Sequence, residues 1–166
     1  MERVSNDNLN EKIKSYKGGI KLDFENLHIV NYKFENINFV STGLRNNIFE
    51  NCAFENIVFN EIYISESVFK KCIFKNCEFR SIDFGKYGVC FENTIFYETS
   101  YYKTDSLSSS YISTYFLKCN FIYFDISSNL LKECRIIDSD ISGLIYSPNT
   151  FVGSNFIFPD LTKSTQ

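Results

Sequence analysis

The sequence predicts a solenoid built from units of five residues. Every fifth position from Phe24 to Phe84 is apolar, thirteen in a row. A shifted run from Phe91 to Leu161 in the same steps is apolar at fourteen of fifteen positions, with Ser106 the exception. Sixteen of the 18 phenylalanines fall on these two grids, namely Phe24, Phe34, Phe39, Phe49, Phe54, Phe59, Phe69, Phe74, Phe79, Phe84, Phe91, Phe96, Phe116, Phe121, Phe151 and Phe156. With 44% of residues hydrophobic, thirteen consecutive hits have a chance of roughly 10⁻⁵ before allowance for the choice of frame. A helix needs apolar residues near a spacing of 3.6 and a half-buried strand needs 2, so a period of five fits neither. Each unit instead contributes one inward anchor and then turns a corner.

Two residues before each anchor lies a second inward slot, and small residues dominate it in the second run: Thr94, Thr99, Thr104, Ser109, Thr114, Cys119. In the first run the same slot holds Cys52, Cys72 and Cys77 within the stretches FENCAF (49–54), FKKCIF (69–74) and FKNCEF (74–79). These stretches resemble the pentapeptide-repeat family, whose units carry Phe or Leu at the centre and a small residue two positions earlier. The resemblance spans about residues 22 to 163. It implies an all-β fold, a right-handed four-sided parallel β-helix with four units per coil, hence about seven coils stacked at ~4.8 Å. One departure is the slot before the centre, usually Asp or Asn in the family and here often apolar, as at Ile48, Val58, Val68 and Ile73. Apolar outer faces are expected from it.

In chain order, residues 1–20 lie off the grid and form an N-terminal cap segment. Leu9, Ile13 and Tyr16 follow helical spacing, Asn6 or Asp7 is placed to cap the helix, and Gly18-Gly19 ends it. Such a helix covers the open end of a solenoid, where an apolar layer and unpaired strand edges are exposed. Residues 21–163 form the single repeat domain. It has a phase break at 85–90, where Phe84 and Phe91 are seven residues apart and Gly85-Lys86-Tyr87-Gly88 reads as a bulge or small loop. The failed anchor at Ser106 predicts a second loop at 102–110. Residues 164–166 are a tail.

Composition narrows the function classes. There are 17 basic and 20 acidic groups, and no continuous apolar run approaches the length of a membrane span. The opening MERVSNDNLNEKIK lacks the apolar stretch of a signal peptide, so the cytosol is the expected, cytoplasmic location. The spacings of Cys52, Cys72, Cys77, Cys90, Cys119 and Cys134 follow the repeat and not a metal or disulfide scheme, which suits buried thiols in a reducing compartment. The one histidine, His28, has no nucleophile or orienting group at a recognisable spacing, and no phosphate-cradling or metal-binding loop is present. The chain is therefore read as a non-enzyme without cofactor or metal. Direct binding of nucleic acid is disfavoured because lysines are scattered among acids.

On the outside, Asn36, Asn56 and Asn76 are expected to stack as a corner ladder of amides. Tyr97, Leu117, Ile137 and Ile157, each just after an anchor, should form an outward apolar column. Tyr102, Ile122 and Tyr123 lie around the corner, and Tyr115 lies beside its own anchor in that column. A patch of this kind calls for cover by a partner, a second copy of the chain, or local loops. Residues 1–88 sum to zero charge, and residues 89–166, with 5 basic and 8 acidic groups, carry the whole net charge of −3. Asp105 over Asp125 and Asp140 over Asp160 form a candidate acidic face.

Two functions follow. One is a non-catalytic, rigid interaction or self-associating scaffold, a homodimer or a docking platform for another protein through the apolar column. The other is implied by the resemblance: the quinolone-resistance (Qnr) members of the pentapeptide-repeat family mimic duplex DNA and engage a type II topoisomerase (gyrase), protecting or inhibiting it. Under that reading the chain is an antibiotic-resistance-like bacterial protein.

Overall fold

The computed structural model describes residues 1–17, 24–106, 108–148 and 150–157. The chain winds through about seven coils, and each coil runs along four faces in short strands or, at places on the third and fourth faces, isolated parallel bridges. Among the described residues all strand pairs are parallel. The first face stacks Leu27–Val30, Ile48–Glu50, Val68–Lys70, Cys90–Glu92, Ser110–Ile112, Leu130–Lys132 and Phe151–Val152. The second stacks Lys33–Glu35, Ala53–Glu55, Ile73–Lys75, Ile95–Tyr97, Tyr115–Leu117, Arg135–Ile137 and Asn155–Ile157. On the third, Asn38–Val40, Val58–Asn60 and Glu78–Arg80 are followed by Ser100–Asp105 and Asn120–Asp125. Those two run on around the corner to the fourth face and Leu144–Ile145. Phe24–Glu25 and Leu44–Arg45 begin the fourth face.

The anchors fill the interior as ring stacks. Phe34, Phe54, Phe74, Phe96 and Phe116 lie above one another with centroids 4.5 to 5.1 Å apart and planes within 15°. Stacks on adjacent faces meet edge to face, as Phe49 does with Phe54 at 5.6 Å and 70°. The strand repeat thus holds aromatic rings at a favourable offset from their neighbours in the next coil.

Where the slot two before the anchor holds Cys or Thr, the side chain donates to the carbonyl of an anchor in the preceding coil. Cys72 Sγ donates to Phe49 O, Cys77 Sγ to Phe54 O, and Thr94, Thr99 and Thr104 hydroxyls to the carbonyls of Phe69, Phe74 and Phe79 at 3.1 to 3.3 Å. A short donor satisfies a buried polar atom there without displacing a ring.

Most corners are turned by one residue with positive φ, two positions after the anchor. Asn fills it at 26, 31, 36, 46, 51, 56, 76 and 93, with φ between 51° and 60°. Asn adopts the left-handed region more cheaply than most side chains. Its amides also stack: Asn56 Nδ2 donates to Asn36 Oδ1 at 3.1 Å, and Asn76 Nδ2 to Asn56 Oδ1 at 2.8 Å.

The N-terminal segment differs from expectation in two respects. Its helix, Asn6–Lys17, is capped by Ser5, whose Oγ accepts from Asn8 N and whose carbonyl accepts from Leu9 N. Asn6 and Asp7 instead lie in the first turn. Before the helix, Glu2–Arg3 adds a parallel strand to the first face in register with Leu27 and His28. Leu9 and Ile13 are buried, and the ring of Tyr16 packs on Phe39 at 5.6 Å. Tyr16 Oη accepts from Val40 N at 2.8 Å and donates to Asn38 O, so the helix satisfies part of the exposed edge of the first coil. Gly18 and Gly19 lie outside the described residues.

At residues 85–90 two extra positions are absorbed in one corner. Phe69 pairs with Phe49 twenty positions before it and with Phe91 twenty-two after it. Gly85 N is held by Asp83 Oδ1 at 2.7 Å, Gly88 N by Gly85 O at 3.2 Å, and Tyr87 projects into solvent, 67% exposed. The loop expected at 102–110 does not form. Phe91 and Tyr111 are in register twenty positions apart, which leaves no surplus chain to protrude. Ser106 occupies its anchor slot buried, its hydroxyl 3.3 Å from Tyr111 Oη, and Phe124 from the second inward slot stacks on Tyr101 at 4.6 Å. Leu107 itself lies outside the described residues.

The core loosens towards the last coils. Tyr146 is on the grid but 55% exposed, because Leu144 pairs with Phe124 and takes the inward place. Phe151 and Phe156, expected as core anchors, are only partly buried; they pack against the core and meet each other edge to face at 4.8 Å and 70°.

Candidate interaction surface

A three-residue strand with its anchor inward presents the residues before and after that anchor outward. On the second face the register therefore fixes two outer columns. After the anchor come Glu35, Glu55, Lys75, Tyr97, Leu117, Ile137 and Ile157. Before it come Lys33, Ala53, Ile73, Ile95, Tyr115, Arg135 and Asn155. The face divides along its length. Its first coils are charged, with Lys33 Nζ 2.9 Å from Glu35 and 2.8 Å from Glu55, and Lys75 3.5 Å from Glu55. The hydrogen bond from Lys33 holds the Glu55 carboxyl below its ordinary pKa. These exposed pairs add little stability.

The later coils are apolar. Tyr97, Leu117, Ile137 and Ile157 stack in register as the sequence indicates. The first three are half-buried, and Ile157, 49% exposed, is open. Lys118 Nζ lies 5.7 Å from the Tyr97 ring and the Arg135 guanidinium 5.6 Å from the Tyr115 ring. Their stems supply local cover, and their charges sit on aromatic faces. Ile73 and Ile95, 46% and 37% exposed, extend the apolar area across the face. Their signal in the sequence is the apolar residue standing where the repeat usually carries Asp or Asn. Around the corner, Tyr102 pairs with Ile122, both exposed, with Lys103 over the Tyr102 ring at 5.4 Å.

The acidic residues do not form one face. Asp105 is in register with Asp125 on the fourth face, whereas Asp140 pairs with Asn120 on the third, one side away. Asp160 lies outside the described residues. Asp83 also joins the Asp105 column through a parallel bridge, giving three stacked aspartates. A fixed interval of twenty misses this contact because the two-residue insert makes it twenty-two. Asp125 Oδ1 accepts from Ser127 N, and Asp140 Oδ1 from Ser142 N, which lowers the pKa of Asp140.

His28 Nε2 lies 3.4 Å from Glu50 at the first face. Among the described residues no three of His, Cys, Asp and Glu converge to hold a metal ion, and no helix is long and apolar enough to cross a membrane. The thiols are enclosed: burial pushes Cys77 and Cys119 up to about 12 and Cys134 to about 11, and the hydrogen bond with Cys52 together with burial raises Cys72. Cys90 alone is partly open.

No protein-family model and no curated protein matches the sequence. Among solved structures, a trypsin-treated form of QnrB1, a plasmid-mediated fluoroquinolone resistance protein, is similar at 19% identity over 82% of this chain and 74% of that one, with a TM-score of 0.41. HetL, a pentapeptide repeat protein involved in heterocyst differentiation regulation from the cyanobacterium Nostoc sp. strain PCC 7120, is similar at 8% identity over 91% and 97%, with a TM-score of 0.40. Rfr23, a pentapeptide repeat protein from the cyanobacterium Cyanothece 51142, gives 9% identity over 87% and 98% and a TM-score of 0.35. Four parallel faces in register, inward anchors every fifth residue and a left-handed residue at the corners make the fold of this chain the pentapeptide-repeat β-helix.

Proposed function

We propose that the protein is a non-catalytic repeat scaffold that associates with protein, a second copy or another chain, through the outer surface of its second face. The supporting observation is the in-register column Tyr97, Leu117, Ile137 and Ile157, widened by Ile95 and Tyr115 on the same strands. A contiguous apolar patch on a rigid sheet is the usual mark of a protein contact. It is tested by replacing Leu117 and Ile137 with serine: association should fall while the circular dichroism and melting of the folded chain stay near those of the parent.

A second reading draws on the column Asp83, Asp105 and Asp125. It is an anionic strip on the side of a rod, the element that a mimic of duplex DNA presents to a type II topoisomerase. Neutralising all three with asparagine should then abolish inhibition or protection of a gyrase in a supercoiling assay, and an unchanged effect would rule the strip out.

A further inference from the structure

Resting on the reading of the second face as an association surface, we infer that its occupant is a second copy of this chain, laid side by side and parallel. Each coil meets the same coil of the partner about a two-fold axis running along the solenoid. Such an axis sets the residue before each anchor opposite the residue after that anchor in the partner's same strand. Ile95 then meets Tyr97 of the partner subunit, and Tyr115 meets Leu117 of the partner subunit. In the first coil Lys33 meets Glu35 of the partner subunit, adding an opposite charge to an ion pair already formed within each chain at 2.9 Å. No strand of this face carries two like charges outward. That condition is the one a parallel two-fold imposes on every row.

An antiparallel arrangement over the whole face lacks this match. It sets Lys33 and Glu35 against Asn155 and Ile157 of the partner subunit, so the one row that carries both charges outward loses its counter-charges. Area also discriminates between a full and a partial overlap. Seven rows at the strand spacing give a footprint of about 35 Å by 10 Å. With side-chain relief on both subunits this is on the order of 1,000 Å² of total buried surface, the lower bound for a specific interface. The four apolar rows alone give about half that and fall among adventitious contacts. Overlap in full register is therefore the arrangement that reaches a specific, though weak and concentration-dependent, dimer.

The test uses the full chain with Cys90→Ser and a single nitroxide label introduced at Asn31→Cys, Lys71→Cys or Glu133→Cys. These three corner positions flank the second face in the first, third and sixth coils, and the remaining thiols are buried. Inter-subunit distances are read by pulsed electron resonance in a concentration series, with and without Leu117→Ser/Ile137→Ser. The expected result is a dimer with one common distance at all three labels, weakened at least tenfold by the double variant. Distances that differ between labels by tens of ångströms, in a dimer that the double variant still weakens, overturn the parallel arrangement and leave the association surface standing. A dimer indifferent to the double variant overturns the surface as well. A chain monomeric at every concentration overturns the second copy as occupant.

Discussion

Phe69 and Phe91 stack with ring centroids 5.0 Å apart and planes 14° apart, although twenty-two positions separate them where every earlier coil uses twenty. The insert is confined to one corner, and the aromatic column passes through it unbroken. The same displacement brings Asp83 over Asp105.

The column makes a strong stability prediction. Phe74 is fully buried and stacks on both Phe54 and Phe96, so Phe74→Ala should cost about 3–5 kcal/mol. Phe54→Asp should leave the chain unfolded, because it buries a carboxylate among rings. A chemical-denaturation series checks both, and a Phe54→Asp chain that melts like the parent would mean that this slot does not point inward.

The corner at Gly88 should reject any side chain. Its φ of 64° is shared by many non-glycine corners here, so backbone strain is not decisive. A Cβ at Gly88, however, falls 2.2 Å from the carbonyl oxygen of Ser108. Gly88→Ala is expected to destabilise by more than about 1 kcal/mol, whereas Asn51→Ala at an ordinary corner should cost less. Equal melting shifts for the two would show that the insert corner is free to move.

Ser5→Ala removes the side-chain acceptor for Asn8 N and should lower stability by about 1 kcal/mol. Asp7→Ala should cost less, since Asp7 acts only through its charge near the helix start. Thermal melts of the two variants separate these roles.

Alkaline pH should weaken the fold. The thiols of Cys77, Cys119 and Cys134 have folded pKa values raised above the ordinary value of 9.0, to about 12, 12 and 11, by burial first of all. The unfolded chain releases these protons more readily, so the stability they contribute is fully present below about pH 9 and is lost as pH rises towards 12. The phenols of Tyr101 and Tyr111, raised by burial, act in the same direction. Denaturation midpoints from pH 8 to 11 should fall progressively. In the native state at pH 8, a thiol reagent should modify Cys90 alone.

Much of this architecture was legible because one residue in five must fill the same interior position, which forces Phe54, Phe74 and Phe96 onto a common grid. The apolar column was legible for the same reason, since Tyr97 and Leu117 inherit the register of their anchors. What the periodicity could not carry were events that break or precede it. Glu2–Arg3 pairs with Leu27–His28 as a parallel ladder that no periodic anchor announces. Ser106 suggested a loop because a small anchor looks like a missing one, yet Phe124 packs against Tyr101 in the neighbouring coil and the winding continues. Asp140 and Asp125 looked like members of one face because both precede grid positions, but those positions lie on adjacent sides.

The most direct measurement is the molar mass in solution by light scattering, for the parent and for Leu117→Ser/Ile137→Ser, across a concentration series. The parent is expected to rise towards twice the monomer mass with concentration, and the folded double variant to remain at the monomer mass. A parent that stays monomeric throughout, or a double variant that dimerises as well as the parent, would contradict it.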